Sequence, residues 1–396
     1  MLLEASGRAG GRCFTDMRTF GVPYDRGARR ISIPDLNPVA KLAARAGMDV
    51  YPAPSGQKVR VGRRYAREGE MEDLLANVVR SYRAIADAVR GKPDLSCARA
   101  LPPDLGDWRP SIEFMLGPYG CGGDLDDLSA TDFSKLTERG DDSYCRQGYG
   151  ALLAKLAQDV AVELSTPVTR IDTARNIEIE TPRGRLTARA AIVTVPIGVL
   201  ASGAIRFTPD FPKRQLDALT KLKPGAYERV ALALPGNPMQ LQRDDVVLEK
   251  SETNRTAVLL ANVSDSALCF VDVAGRFGRE LAAQGEAAMV DFATEWLGKL
   301  FGADIKKLVK RSHATQWMKD PRALGSFSVA AVGGQFSRKI LMEPIRDRVF
   351  FAGEAMHETL WGTVPGAWES GERAADAVLK IFAPATPGRP QRPRRS

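Results

Sequence analysis

Glu4-Ala5-Ser6-Gly7-Arg8-Ala9-Gly10-Gly11-Arg12 is the stretch from which the fold can be read. Met1 to Glu4 reads as the end of a strand, and Ser6 to Arg12, rich in glycine and arginine, as the loop that follows it. A carboxylate at a strand end is the group that hydrogen-bonds an adenosine ribose in dinucleotide-binding folds. Glycines beside arginines let a diphosphate approach the backbone and meet charged donors. The competing reading is a charged surface turn.

Working outward, the far end of the chain repeats the pattern. Arg348 to Ala352 is a short apolar strand, followed by Gly353-Glu354 and a helix from Gly366 to Phe382. Ala190 to Val195 has the composition of a strand buried on both faces of a parallel sheet. Between these lie helical spacing over Glu72 to Arg90 and Gly148 to Leu164, and an irregular, proline- and glycine-rich connection over Pro93 to Gly123. A small meander is expected over Val168 to Ile171, Ile177 to Thr181 and Arg185 to Ala188. Val230 to Leu234, Val246 to Lys250, Val258 to Val263 and Leu268 to Val273 suit an antiparallel sheet, and Ala287 to Phe301 a helix. Strands at both ends, each leading through glycine into helix, describe one α/β unit assembled from separated segments, with a second domain between them.

Composition narrows the function. The 396 residues carry 56 Lys and Arg against 48 Asp and Glu, a net charge of +8, of which Arg389, Arg392, Arg394 and Arg395 supply four from a tail without acids. That Pro/Arg-rich end, residues 383–396, reads as a solvated disordered tail, so no nucleic-acid partner is expected. Five scattered cysteines without a Cys-x-x-Cys argue against a disulfide framework or a structural zinc site. With only His313 and His357 in the chain, no multi-histidine metal centre can form, and no metal is expected. No run of 18 apolar residues and no signal-peptide pattern is present, so the expected address is the cytoplasm, without a membrane partner.

On the residues from Glu4 to Arg12 the chain resembles the flavin-dependent amine oxidase (flavin monoamine oxidase) family, whose second Rossmann strand ends in Glu-x-x-x-Arg-x-Gly-Gly-Arg. Similar stretches follow in order: Asp25-Arg26-Gly27-Ala28, Gln147-Gly148-Tyr149, Val168-Thr169-Arg170-Ile171, Val193 to Leu200 with Phe207-Thr208-Pro209, and Phe350-Phe351-Ala352-Gly353-Glu354 with Gly362-Thr363-Val364-Pro365-Gly366-Ala367 and Ser370-Gly371. The resemblance implies a discontinuous Rossmann-like FAD-binding domain over 1–30, 145–210 and 345–382, and an α+β substrate domain over 31–144 and 211–344. It assigns the cofactor to Glu4, Arg8, Gly10, Gly11, Arg12, Gly27, Ala28, Val168, Gly353, Glu354, Thr363 and Val364. The FAD is expected to be noncovalent, because Ser326 stands where relatives carry a flavin-linking cysteine.

Departures from the family pattern are informative. A Gly-x-Gly-x-x-Gly loop is expected about 20 residues before the acidic residue, but Glu4 is the fourth residue and no such loop occurs elsewhere. The expectation is a start codon placed too late or a truncated gene, leaving the Rossmann part N-terminally truncated. Where the family places a lysine near flavin N5, Tyr227-Glu228-Arg229-Val230 places Arg229, which cannot act as a base at neutral pH. Of the aromatic pair that sandwiches the amine, Phe327 matches and Thr363 does not, with Trp317 and Trp361 close enough in sequence to line the pocket. Arg30 replaces an aromatic residue, and two arginines facing the flavin would repel an ammonium and favour a carboxylate. Each could instead turn to solvent or pair with an acid such as Glu228.

The resemblance thus implies hydride transfer from the α-carbon of an amine to flavin N5, giving imine and, through molecular oxygen, hydrogen peroxide. The alternatives are an amino-acid oxidase or tryptophan 2-monooxygenase-like enzyme, and a non-catalytic remnant.

Overall fold

The computed structural model describes residues 1–35, 37–136 and 142–382; the basic tail lies outside them. The parallel α/β part consists of two separate ribbons. Leu2–Leu3 pairs in parallel with Val162–Glu163, and Ala191–Val193 in parallel with Val349–Phe351. Segments about 160 residues apart in the chain therefore do meet. A four-stranded sheet lies beside them in the order Gly184–Ala188, Ile177–Thr181, Arg170–Asp172, Arg206–Thr208, with the last pair parallel. This is the expected meander with one strand added.

The second part is built on a seven-stranded sheet, ordered Arg311–Ala314, Tyr227–Ala233, Leu268–Ala274, Val258–Leu260, Val246–Glu249, Lys58–Val61, Arg64–Tyr65. It is mixed rather than antiparallel, because Lys58–Val61 joins Val246–Glu249 in parallel. Every residue of Leu268–Ala274 is buried, so this central strand is apolar except where a charge has a partner. The helix Glu286–Phe301 turns Met289, Ala293, Trp296, Leu297 and Leu300 onto the sheet at helical spacing. Met289, Leu297 and Leu300 each contribute about 1.5–3 kcal/mol by leaving water.

Two local expectations need correction. The helix expected over Gly148 to Leu164 is Tyr149–Leu156 only, because Val162–Glu163 gains backbone hydrogen bonds from Leu2–Leu3 instead. The supposed irregular connection, Pro93 to Gly123, holds short helices, among them Arg109–Phe114 and a π-helical turn at Met115–Tyr119. Trp108, Ile112, Phe114 and Leu116 are buried against the long helix Glu68–Val89. Packing there overrides the punctuation by proline and glycine.

Candidate active site

The segment from Glu4 to Arg12 is held at both ends. At one end, Thr166 N–H donates to the Glu4 carbonyl at 2.9 Å and Ser165 N–H to the Ser6 carbonyl at 2.8 Å. One Glu4 carboxylate oxygen accepts from Ser6 N–H at 2.7 Å; the other accepts no hydrogen bond among the described residues. Val168, two residues past Thr166, packs at the rim of the core around Ile171 and Ile177. At the other end the Arg12 guanidinium meets Glu354 at 3.0 Å and also bonds the Ser326 carbonyl. Glu4, Val168 and Glu354 are thus strung along one segment and its neighbours. Between the ends, Cys13 N–H closes onto the Gly10 carbonyl at 2.9 Å, and Arg8 stacks over Phe14 at 4.0 Å.

Glu354 is the hub of a buried chain. Its carboxylate accepts from Arg12, from Ser328 N–H and Oγ, and from Gly362 N–H. Arg338 donates to Ser328 Oγ at 2.7 Å and pairs with Asp132 at 3.0 Å. Burial pushes the Glu354 carboxyl up, but Arg12, Arg338 and these hydrogen bonds outweigh it and hold the group below the usual carboxylate range.

The turn Asp25-Arg26-Gly27-Ala28 is gripped from three sides. Asp25 accepts from Thr15 Oγ1 at 2.5 Å and from Tyr149 N–H at 3.1 Å, which fixes the start of the helix Tyr149–Leu156. Ala28 N–H donates to the Arg12 carbonyl at 3.2 Å, an approach so close that a Cβ on Gly27 would lie 1.8 Å from that oxygen. Trp317 closes the third side, with its Nε1–H on the Arg26 carbonyl at 3.0 Å.

Arg229 reaches the same turn from the seven-stranded sheet. Its Nη1 donates to the Asp25 carbonyl at 2.7 Å and the Gly27 carbonyl at 3.2 Å. Its Nε and Nη2 clasp both oxygens of Asp272, each at 2.8 Å. Burial lowers the guanidinium's proton affinity, but Asp272 more than restores it, so the group stays charged. The acid partner is Asp272 and not Glu228. Glu228, on the opposite face of the strand, accepts from Thr315 Oγ1 and from Met318 N–H, fixing the turn that carries Trp317.

At the C-terminal end, Thr363 Oγ1 accepts from Gly366 N–H at 3.0 Å and so caps the helix Val364–Phe382. Gly353 has φ 122°, and its N–H donates to Ser370 Oγ at 2.8 Å.

The aromatic side chains sort differently from expectation. Phe327 is half-buried, and Gly362 lies so close that a Cβ there would touch its ring at 3.4 Å. Its next neighbours are Tyr227, with ring centres 5.8 Å apart, and then Tyr119 at 6.4 Å from Tyr227. The Arg30 guanidinium lies over Tyr119 at 4.7 Å and ends the row. Trp361 does not line the open side. It is 1% exposed in the core of the long helix with Arg338 stacked on it at 4.5 Å, because a large indole beside a buried guanidinium gains more from burial than from facing water.

Sequence reasoning passed over Tyr119, Tyr227 and Asp272. Asp272 carried a signal, being the lone charge in the apolar run Leu268–Ala274, since a buried charge needs a partner. Tyr119 sits in the π-helical turn, a local distortion common at functional sites.

A family model described as "Flavin containing amine oxidoreductase" matches residues 1–379. The chain belongs to this family. The cofactor of this family is a flavin, FAD. It is 27% identical over 410 residues to lysine-specific histone demethylase 1B of Mus musculus, covering 95% of this chain and 49% of that protein. It is likewise 27% identical over 415 residues to polyamine oxidase 3 of Oryza sativa subsp. japonica, covering 95% of this chain and 83% of that one. The chain spans about half the length of the demethylase relatives it matches. Among solved structures, cyclohexylamine oxidase from Brevibacterium oxydans IH-35A superposes with a TM-score of 0.79 at 18% identity, covering 96% of this chain and 93% of that one. A putrescine oxidase double mutant gives 0.78 at 14% identity, covering 95% and 93%. At such identities these two comparisons bear on the fold, an FAD-type α/β domain joined to a substrate domain.

The residues present fit FAD at its two ends. Near the adenosine end, Glu4 keeps a carboxylate oxygen without a hydrogen bond among the described residues, and a Cβ on Gly7 would find nothing nearer than Ser165 Oγ at 3.9 Å. Toward the ring end, a Cβ on Gly353 would meet only the Thr194 carbonyl at 3.7 Å, and Ser326 Oγ is buried without a hydrogen-bond partner. Bare backbone and an unspent hydroxyl are what a sugar-phosphate or ring edge would occupy.

Proposed function

We propose that this chain, with FAD bound noncovalently, oxidises a small-molecule amine at the carbon bearing its nitrogen, using molecular oxygen as acceptor. A bound flavin would supply the two-electron acceptor for the hydride and, on reoxidation, the two electrons that with two protons turn oxygen into hydrogen peroxide; water would then hydrolyse the imine to a carbonyl compound and the released amine. The observation that carries the reading is the convergence of Arg12, the Asp25–Ala28 turn and Glu354 on one place, faced by the row Phe327, Tyr227 and Tyr119.

The chain's own residues would take the roles that the family resemblance gives them. Glu4 would hold the ribose, and Arg8, Gly10, Gly11 and Arg12 the neighbouring phosphate edge. Gly27, Ala28, Gly353, Glu354, Thr363 and Val364 would hold the ring end. Arg229 is a positioning residue, since each of its three guanidinium nitrogens is engaged on Asp272 or on the turn. It neither removes a proton nor reaches a substrate. Phe327 and Tyr227 offer flat apolar walls that exclude water from the reacting carbon and favour a neutral, deprotonated amine.

The purified protein supplied with FAD should be yellow, release FAD on acid denaturation and form peroxide with at least one amine from a panel of monoamines, polyamines and amino acids. A colourless protein that takes up no flavin would end this reading and leave the non-catalytic remnant.

A further inference from the structure

The long helix Glu68–Val89 carries two stripes of apolar residues, and only one of them faces the core. Leu74, Ile85 and Val89 are buried in the cluster that holds Trp108 and Phe114. About a quarter turn round the same helix, Leu75, Val79 and Tyr82 are 56%, 47% and 49% exposed. Among the described residues, no other helix carries three large apolar side chains so exposed. A single exposed apolar residue is ordinary, whereas a contiguous stripe marks a contact surface. Tyr82 is also held still, its ring stacked on buried Phe133 with centres 5.6 Å apart, so covering it costs little side-chain entropy.

The spacing indicates the kind of contact. Glu68, Glu72, Leu75, Val79, Tyr82 and Ala86 alternate steps of four and three along the helix, the roughly 3.5-residue period by which one helix lies along another. Charge is polarised along the same line. Glu68, Glu70, Glu72 and Asp73 precede the apolar centre, and Arg80, Arg83 and Arg90 follow it, with Asp87 as the exception. Some of these charges are spent within the chain: Glu70 on Arg64 at 2.6 Å, Arg80 on Asp104 at 2.6 Å, and Asp87 on Arg90 at 2.9 Å. Glu68, Glu72 and Arg83 enter no ion pair among the described residues.

A stripe that is apolar in the middle, acidic at one end and basic at the other complements itself when turned end over end. A second copy of this chain laid antiparallel, with the two-fold axis midway between Leu75 and Val79, sets Leu75 against the second copy's Val79. The same axis puts Glu72 beside the second copy's Tyr82 and Arg83, and symmetry repeats the contact. A parallel pair would set acid on acid. The 22-residue helix is about 33 Å long, so one helix pair lies at the low end of interface size and the association is reversible.

We infer that the chain forms a reversible antiparallel dimer through the exposed stripe of Glu68–Val89, closed by two Glu72–Arg83 pairs between the copies.

The full chain supplied with FAD is sedimented at concentrations from about 1 to 100 µM, and the mass should rise from one copy toward two. Glu72→Arg and Arg83→Glu sit on the exposed side of the helix, and each alone should weaken the dimer at least tenfold by setting like charges together. Mixed one to one, the two variants should pair at least tenfold more tightly than either does with itself, because every cross-contact again joins opposite charges. Leu75→Gln should abolish the dimer, and Asp73→Arg, away from the stripe, should leave it unchanged. All four should keep the parent's melting temperature. A parent that stays a single copy throughout overturns the inference and leaves the stripe to another occupant, the chain's basic tail or a different protein. A dimer indifferent to Glu72→Arg and Arg83→Glu, or two weakened variants that do not recover on mixing, overturns it as well.

Discussion

At position 229 an arginine of the seven-stranded sheet braces the Asp25–Ala28 turn. Its fork closes on Asp272 while its remaining nitrogen ties down the backbone of Asp25 and Gly27. Both side chains of the pair are at most 10% exposed, so removing one charge leaves the other buried without compensation. Asp272→Asn should therefore lower stability by about 3–5 kcal/mol, read as a fall in the urea midpoint at constant slope, and weaken FAD retention with it. A loss below about 1 kcal/mol, the worth of an exposed pair, would show that the brace is idle. Tyr227 shares the same aspartate through its hydroxyl, so the aromatic row and the Asp25–Ala28 turn are held by one carboxylate.

Among the elements, the helix Tyr149–Leu156 shows why a short helix can matter. Its first turn is pressed against Thr15, and a Cβ on Gly150 would lie 2.3 Å from Thr15 N. Asp25 holds both sides, accepting from the Thr15 hydroxyl and from the Tyr149 N–H. Gly150→Ala should cost about 1–3 kcal/mol by overpacking, seen as a lower melting temperature. The glycine of Ser370-Gly371 is the contrasting case. A Cβ on Gly371 would meet nothing within 4 Å, whereas buried Ser370 bonds both the N–H and the carbonyl of Gly353. Gly371→Ala should stabilise the helix Val364–Phe382 by about 0.5–1 kcal/mol, measured by the same melts.

For the whole molecule, the chain Arg12, Glu354, Ser328, Arg338, Asp132 joins the N-terminal segment, the C-terminal segment and the substrate domain. Its pH response follows from the depressed Glu354 carboxyl. The stabilisation is complete above the ordinary value of 4.5 and is lost as pH falls through the lower folded value. Glu354→Gln should therefore unfold more easily at pH 7 yet show a shallower fall in urea midpoint below pH 4.5 than the parent. Parallel pH curves for parent and variant would show that Glu354 does not drive the acid transition.

Legibility followed distance along the chain. Glu4 to Arg12, Gly27-Ala28 and Gly353-Glu354 are contiguous motifs, and backbone constraints make such motifs readable without their partners: close approach at Gly27 and positive φ at Gly353. The same holds for the helix Glu286–Phe301, whose apolar period is local. By itself the sequence determined the fold class, the family and the flavin cofactor. Tertiary structure alone decided that Arg229 is spoken for by Asp272, that Trp361 belongs to the core, that Tyr119 stands beside Arg30, and where the helix after Gly148 stops. Each of those outcomes is a choice among partners far apart in sequence, settled by burial and by the demand of a buried charge or backbone group for satisfaction. No local pattern encodes which partner arrives.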